Sequence, residues 1–117
     1  MDIFINTLNK EVISIVISGD FTIGETDLFD SVVLPIFDRD ENNIILDMAN
    51  LVSIDSFGIA KLFSSSNMAK LKGKNLYIMN IRKDIEELFN TLKLLRYYTI
   101  IEPTELKNRF GIKKIIK

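Results

Sequence analysis

VSIDSFGIAKL, Val52 to Leu62, is the stretch in which one period of the chain gives way to another. The run before it, NIILDM (Asn43–Met48), is the short, continuous apolar segment of a buried strand. Beyond Asp55, Ile59, Leu62 and Phe63 begin a helical stripe that continues through Ala69 and Leu71 and stops at Gly73. An earlier stretch, ISGDFTIGETD (Ile17–Asp27), has the same form. There VISIVISG (Val12–Gly19) reads as a strand, and Leu28, Phe29, Val32, Val33, Ile36 and Phe37 share one helical face. Pro35 inside that face removes an intrahelical hydrogen bond and predicts a bend or an early stop.

Outward from these two corners the alternation continues. IFINT (Ile3–Thr7) is β-rich and is separated from Val12–Gly19 by Asn9-Lys10-Glu11, a hairpin connection. NLYIMN (Asn75–Asn80) is a further strand. Ile81, Ile85, Leu88, Phe89 and Leu92 mark a third helix, with Asp84, Glu86 and Glu87 placed well for its dipole. YYTII (Tyr97–Ile101) closes as a strand and Pro103–Phe110 as a last helix, with Pro103 suited to its first position and Gly111 to its end. Strands alternating with helices pair in parallel through right-handed crossovers. The expected fold is α/β: a single mixed β-sheet of four or five strands with packed helices starting near Glu25, Asp55 and Lys83. No linker, repeat or low-complexity segment interrupts residues 1–117, so one domain is expected.

Composition removes whole classes of function. The chain of 117 residues has 47% apolar and 26% charged residues, the balance of a soluble globular domain. Fifteen basic against sixteen acidic residues leave a net charge of −1, which gives no electrostatic case for nucleic acid. No apolar run reaches membrane-spanning length and MDIFINTLNKE is no signal peptide, so a soluble cytoplasmic protein without membrane contact is expected. With no His and no Cys, the Ser-His-Asp triad, the Cys-His pair and the usual zinc sites are excluded. DRDENN (Asp38–Asn43) opens like a calcium loop, but Asn43 and Ala49 stand where that loop needs its Gly and its bidentate Glu. It reads as a solvated connection, and the basic end GIKKIIK (Gly111–Lys117) as a solvated tail. No cofactor, metal or catalytic group is expected.

The corner at Asp55 concentrates the chemistry. Asp is a favoured helix N-cap, so Ser56 stands at the first helical position beside unpaired amides and the positive end of the dipole, where a phosphate finds donors. Gly58 follows, its missing side chain letting another surface approach. Capping, helix start and close packing on the sheet account for the same three residues, and on these residues alone that structural reading leads.

VSIDSFGIAKL after a strand ending in ILDM, with GDFT after the second strand, resembles a STAS domain and, more narrowly, the bacterial anti-sigma factor antagonist family. That family's signature is a strand ending in Asp-Leu-Ser and then Asp-Ser-Ser/Thr-Gly-Leu-Gly at a helix start. Asp47, Asp55, Ser56 and Gly58 match it, with Ile59 in place of Leu. The family's Gly-Glu-Leu-Asp corresponds to Gly19, Asp20, Phe21 and Thr22, and LFNTLKLLRYYTIIE (Leu88–Glu102) resembles its Leu-Phe helix and last strand. The resemblance implies that Ser56 is a phosphoacceptor. Unphosphorylated, such a protein binds an anti-sigma factor serine kinase and frees a sigma factor; phosphorylation releases it and a serine phosphatase resets it. The implied partner face comprises Asp20, Phe21, Thr22 and Ile23 with Asp55, Phe57, Gly58 and Ile59, on a monomer or weak dimer. Gly58 is expected to clear room for the kinase's own loop. Four departures stand out: Phe57 for a hydroxyl residue, Ala60 for a glycine, Thr22 for an Asp, and Lys93 where a Gly is frequent. Phe57 is either an exposed anchor or a core residue, with the surface favoured because Ile59, Leu62 and Phe63 already supply the buried stripe. The alternative function is a non-switching STAS scaffold subunit of a larger signalling or transport assembly.

Overall fold

The isoleucines of VISIVISGDF alternate with Val12, Ser14 and Val16, and nearly all of them are buried, which only a central strand covered on both faces permits. In the computed structural model, which describes residues 1–112, this run is strand β2 (Val12–Phe21). Strand β1 (Asp2–Thr7) pairs with it antiparallel, Asp2 opposite Ser18 and Thr7 opposite Ile13. On its other side lie β3 (Asn43–Ile54), β4 (Asn75–Met79) and β5 (Thr99–Ile101), all parallel, so the sheet is mixed, five-stranded and in sequence order.

Sequential parallel neighbours joined by right-handed crossovers put the connecting helices on one face. These are α1 (Thr26–Val33), α2 (Ser56–Leu71) and α3 (Lys83–Thr91). Ile13, Ile15 and Ile17 of β2 and Ile44 and Leu46 of β3 form one core with Phe29 and Val33 of α1, Leu62 and Ala69 of α2, and Ile85 and Phe89 of α3. Helix α4 (Pro103–Phe110) covers the opposite face, where Leu106 joins Val12, Ile45, Tyr77, Met79 and Ile101 in a second core. A capping box of Glu102 and Glu105 starts α4, and Gly111 at φ 70° ends it, a left-handed position that suits glycine.

Pro35 acts as its ring chemistry requires. Helix α1 stops at Val33, and residues Leu34–Asp38 continue as a 3-10 turn that still buries Ile36 and Phe37. Four expectations need correction. Strand β3 does not end at Met48 but runs on to Ile54, because Leu51, Ser53 and Ile54 keep pairing with Gly19, Asp20 and Phe21. Leu71 is 81% exposed, since it sits two residues, about 200° of helix, from buried Ala69. Residues Leu95–Tyr97 form a 3-10 turn closed by Tyr98 N–H to the Leu95 carbonyl at 3.2 Å, so β5 starts only at Thr99. The Asp38–Asn43 connection is not wholly solvated: Glu41 and Asn43 are buried, and Arg39 holds the Glu41 carboxylate in a two-pronged contact at 2.9–3.0 Å. That hydrogen bond keeps the Glu41 carboxyl below its usual range. At the chain end Ile112 is buried, and residues 113–117 of the expected tail lie outside the described residues.

One buried polar atom tests the core directly. The Tyr98 ring packs at 5.7 Å from Phe89, and its hydroxyl finds no protein partner among the described residues. Burial raises its pKa, so the unfolded chain gives up the phenolic proton first and stability falls as pH rises above about 10. Tyr98→Phe removes the unpaired hydroxyl and keeps the ring. Urea denaturation at pH 7 should show the variant as stable as the parent or about 1 kcal/mol more stable, with a shallower loss above pH 10.

Candidate functional site

The two corners meet because of register. Phe21, the last residue of β2, is paired with Ile54, the last of β3, so both chains leave the sheet side by side. Gly19 at φ 93° lets β2 shift register just before this point. The Asp55 carboxylate then joins the two exits. One oxygen accepts the Gly58 amide at 2.9 Å, capping α2, and the other accepts the Ile23 amide at 3.1 Å from the turn after β2. The Asp55 amide in turn donates to the Phe21 carbonyl at 3.2 Å. One register pair back, the Ser53 hydroxyl donates to the Asp20 carboxylate at 2.5 Å, a second tie between the same two strands.

This frame sorts the expected site residues. Asp20, Ile23, Ser56 and Phe57 are exposed, with Ile23 at 57% and Phe57 at 53%, and Thr22 is half-buried. The exposed alternative for Phe57 is therefore the one observed. Phe21 does not belong to the outer face: it is fully buried and stacks on Phe29 with ring centroids 4.9 Å apart. Gly58 is buried too, and its room serves the protein itself. A Cβ there would lie 2.4 Å from the Phe21 carbonyl oxygen and 2.8 Å from Ile54 Cγ1. Close packing of α2 on the exit of β2, not clearance for a partner's loop, is the immediate reason for the glycine. Ile59 is almost buried and forms part of the wall beneath Ser56. Asp47 is buried within β3, where it accepts the Ala49 amide at 3.0 Å and the Asn80 side-chain amide at 3.1 Å, tying β3 to the end of β4.

The periodicity did not disclose the cleft next to Ser56. About 530 Å³ of open space lies between Ser56, Ile59, Ala60 and Phe63 of α2 and Leu92, Lys93, Leu94 and Arg96 of the segment after α3. Lys93 has φ 57°, left-handed backbone that a residue with a Cβ adopts at a penalty. The departure from glycine at this position was the one available signal. Among the described residues no cluster of three or more acidic side chains is arranged to hold a metal ion. What the site does offer is an exposed hydroxyl whose own amide and that of Phe57, at the first two helical positions, precede the first intrahelical bonds and lie open to an anion.

The comparisons with known proteins agree with this architecture. The STAS domain pattern matches residues 5–107, and the chain belongs to the STAS domain family. No curated protein matches the sequence. An anti-sigma factor antagonist from Mycobacterium paratuberculosis is similar in structure with a TM-score of 0.77, at 9% identity, over 97% of this chain and 94% of that one. The phosphorylated Bacillus cell fate determinant SpoIIAA gives 0.70 at 14% identity, covering 93% and 99% of the two chains. A sulfate transporter family protein from Wolinella succinogenes gives 0.71 at 17% identity, covering 86% and 84%. At these identities the likeness is one of fold, a fold shared by antagonists and by transporter-associated domains. No helix among the described residues is long and apolar enough to cross a membrane.

The packing at Gly58 is the part of the corner most easily broken. Gly58→Ala places a methyl against backbone, which cannot rotate away, so α2 must back off the sheet. The loss should be about 2 kcal/mol or more in chemical denaturation, above the gain of about 1 kcal/mol by which Ala favours a helix over Gly. A variant as stable as the parent would show that the corner is looser than these distances state.

Proposed function

We propose that the protein is a cytoplasmic anti-sigma factor antagonist that works as a phosphorylation-controlled partner switch, a substrate and not a catalyst. The observation that carries this reading is Ser56: an exposed hydroxyl at the first position of α2, in the Asp-Ser-x-Gly context of a STAS domain, on a helix start fixed by Asp55. The similarity of fold to anti-sigma factor antagonists supports it.

In this reading the partner is an anti-sigma factor that is itself a serine kinase. It docks on the rigid corner, reading the Ser56 hydroxyl with Ile23 and Phe57 as apolar anchors and Asp20 as the charge at the rim. Exposed aromatics on an ordered frame suit such anchoring, because little rotamer freedom is lost on docking. Thr22 immediately precedes the Ile23–Glu25 turn and is half-buried. The kinase transfers the γ-phosphoryl group of ATP to Ser56 Oγ; the O–P bond forms, ADP leaves and the hydroxyl proton is released. The product carries about −1.5 to −2 charge where the interface had accommodated a neutral group. Release follows from that desolvation and repulsion, and a serine phosphatase restores the hydroxyl.

Three substitutions separate the roles. Ser56→Ala should abolish phosphorylation by the kinase, read by mass spectrometry, while affinity stays within about twofold. Ser56→Asp should weaken binding by about tenfold, 1.4 kcal/mol, because a carboxylate carries less charge than phosphate. Phe57→Ala should weaken it by about 1–2 kcal/mol with the melting temperature nearly unchanged, since the ring is half exposed. Phosphate on Ser53, Ser64 or Ser65 with Ser56 bare would overturn the assignment. A kinase that binds and modifies no serine would favour the non-switching STAS scaffold.

A further inference from the structure

The cleft beside Ser56 is mostly apolar, yet it has two cations on one wall and the acceptor hydroxyl on the other. Leu92, Lys93, Leu94 and Arg96 come from the turn that ends α3, and Ser56 opens α2 across from them. Lys93 is exposed, and its ammonium has no hydrogen-bond or ion-pair partner among the described residues. Its backbone is left-handed at φ 57°, a conformation that glycine adopts freely and lysine does not. A local fold that needed only the turn would be better served by glycine. Strain retained at one point on the rim of a cleft, on a residue whose charge is unused, marks the side chain as the reason for the residue.

We propose that Lys93, with Arg96 beside it on the same wall, is the receiving site for the phosphoryl group on Ser56, so that the modified serine is held against the α3–β5 turn of its own chain. This rests on Ser56 being the acceptor. The chemistry fits. The open amides of Ser56 and Phe57 meet a phosphate from one side but leave most of its charge in solvent, beside the carboxylate of Asp55. A lysine across the cleft supplies the opposite charge, and its flexible stem spans a distance that a fixed donor would have to match. Capture on that side would turn the phosphate from the Asp20–Ile23 rim into the cleft and draw the α3–β5 turn toward α2. Phosphorylation would then change the shape of the docking corner as well as its charge. The phosphatase would act on a group partly sheltered by its own protein.

The experiment installs phosphoserine at position 56 during translation by codon expansion, so that no kinase is required. The second ionisation of the phosphate is then followed by ³¹P NMR in the full chain. In the parent it should fall below the value of about 6 usual for phosphoserine, because a nearby cation favours the dianion. Lys93→Met should return it upward by about half a pH unit, and Lys93→Arg should keep it low. Lys93→Gly should lose the shift as the Met variant does while raising the melting temperature, since glycine relieves the left-handed position. The Gly variant separates lost charge from lost structure. An ionisation unchanged in both the Met and the Gly variants overturns the proposal, whatever any kinase does to Ser56. Conversely, a kinase that binds the unmodified chain and leaves Ser56 bare overturns the switch itself, and the ³¹P result does not depend on it.

Discussion

The Asp55 carboxylate holds together what the rest of the site depends on. Both its oxygens accept backbone amides, one from Gly58 within its own helix and one from Ile23, thirty-two residues earlier in the chain. No other side chain does this equally well. Asn has a single acceptor oxygen and would surrender one of the two amides, while Glu is a methylene too long for an N-cap whose backbone is already extended at φ −101°. The bond to Ile23 has meaning only because Phe21 and Ile54 end their strands side by side, and the bond to Gly58 only because a residue without Cβ fits against the Phe21 carbonyl. Sheet register, glycine and carboxylate therefore form one constraint. Ser56 inherits its position from all three, which explains how an exposed residue at a helix end can be as well placed as a core side chain.

How much of this could be read beforehand depended on the kind of signal. Periodicity carried the sheet and helices, since Ile13, Ile15 and Ile17 against Phe29 and Val33 is a pattern that only one packing satisfies. Pro35 and Gly111 carried their turns because their backbone preferences are intrinsic. Other features depend on tertiary partners and left little trace. Strand β3 extends past Met48 through Ala49 and Asn50 because β2 offers pairing partners, not because those residues favour a strand. The buried face of α2 includes Ser65 and Ser66, which weakens the apolar stripe; the Ser65 hydroxyl is satisfied by the Lys61 carbonyl at 2.8 Å. Phe21 was expected on the partner face through the family resemblance, which places the segment after the second strand there. It is buried because strand alternation overrides loop composition at the last paired residue. The motif pointed to the Ser56 corner, but the cleft behind it needed coordinates, since its walls come from segments some thirty residues apart.

The departures from the family pattern become legible one by one on this frame. Phe57 at the second helical position turns its ring outward, so a larger residue there adds surface without disturbing the core. Thr22 precedes the Ile23–Glu25 turn without capping it through its side chain, so the loop is instead held from the Asp55 side. An Asp in its place would put a third carboxylate near Asp20 and Asp55. Its absence leaves the outer face less acidic and more apolar than the family pattern implies. Ala60 lines the cleft, where a glycine would leave it wider. Three of the four departures thus alter surfaces, while the residues that set the frame, Gly19, Asp55 and Gly58, match the pattern. The fourth, Lys93, differs because it imposes a backbone penalty as well as a new charge.

That division bears on how a charge added at Ser56 would propagate. A phosphate placed on a flexible loop would reorganise its surroundings, and the free energy of repulsion would be dissipated locally. Here the helix start cannot give way, since moving it breaks both Asp55 bonds and the contact at Gly58 together. The β2 exit is bound to the same assembly through the Asp55 amide and the Phe21 carbonyl. The wall after α3 is the less regular one, built from a left-handed Lys93, a 3-10 turn and a three-residue strand. The Ser56 hydroxyl thus stands on a helix start tied at three points and faces a wall with fewer such ties to the corner. On the switch proposed for Ser56, a shift of the segment from Leu92 to Arg96 breaks none of these ties, whereas a shift of the helix that bears the hydroxyl breaks them all.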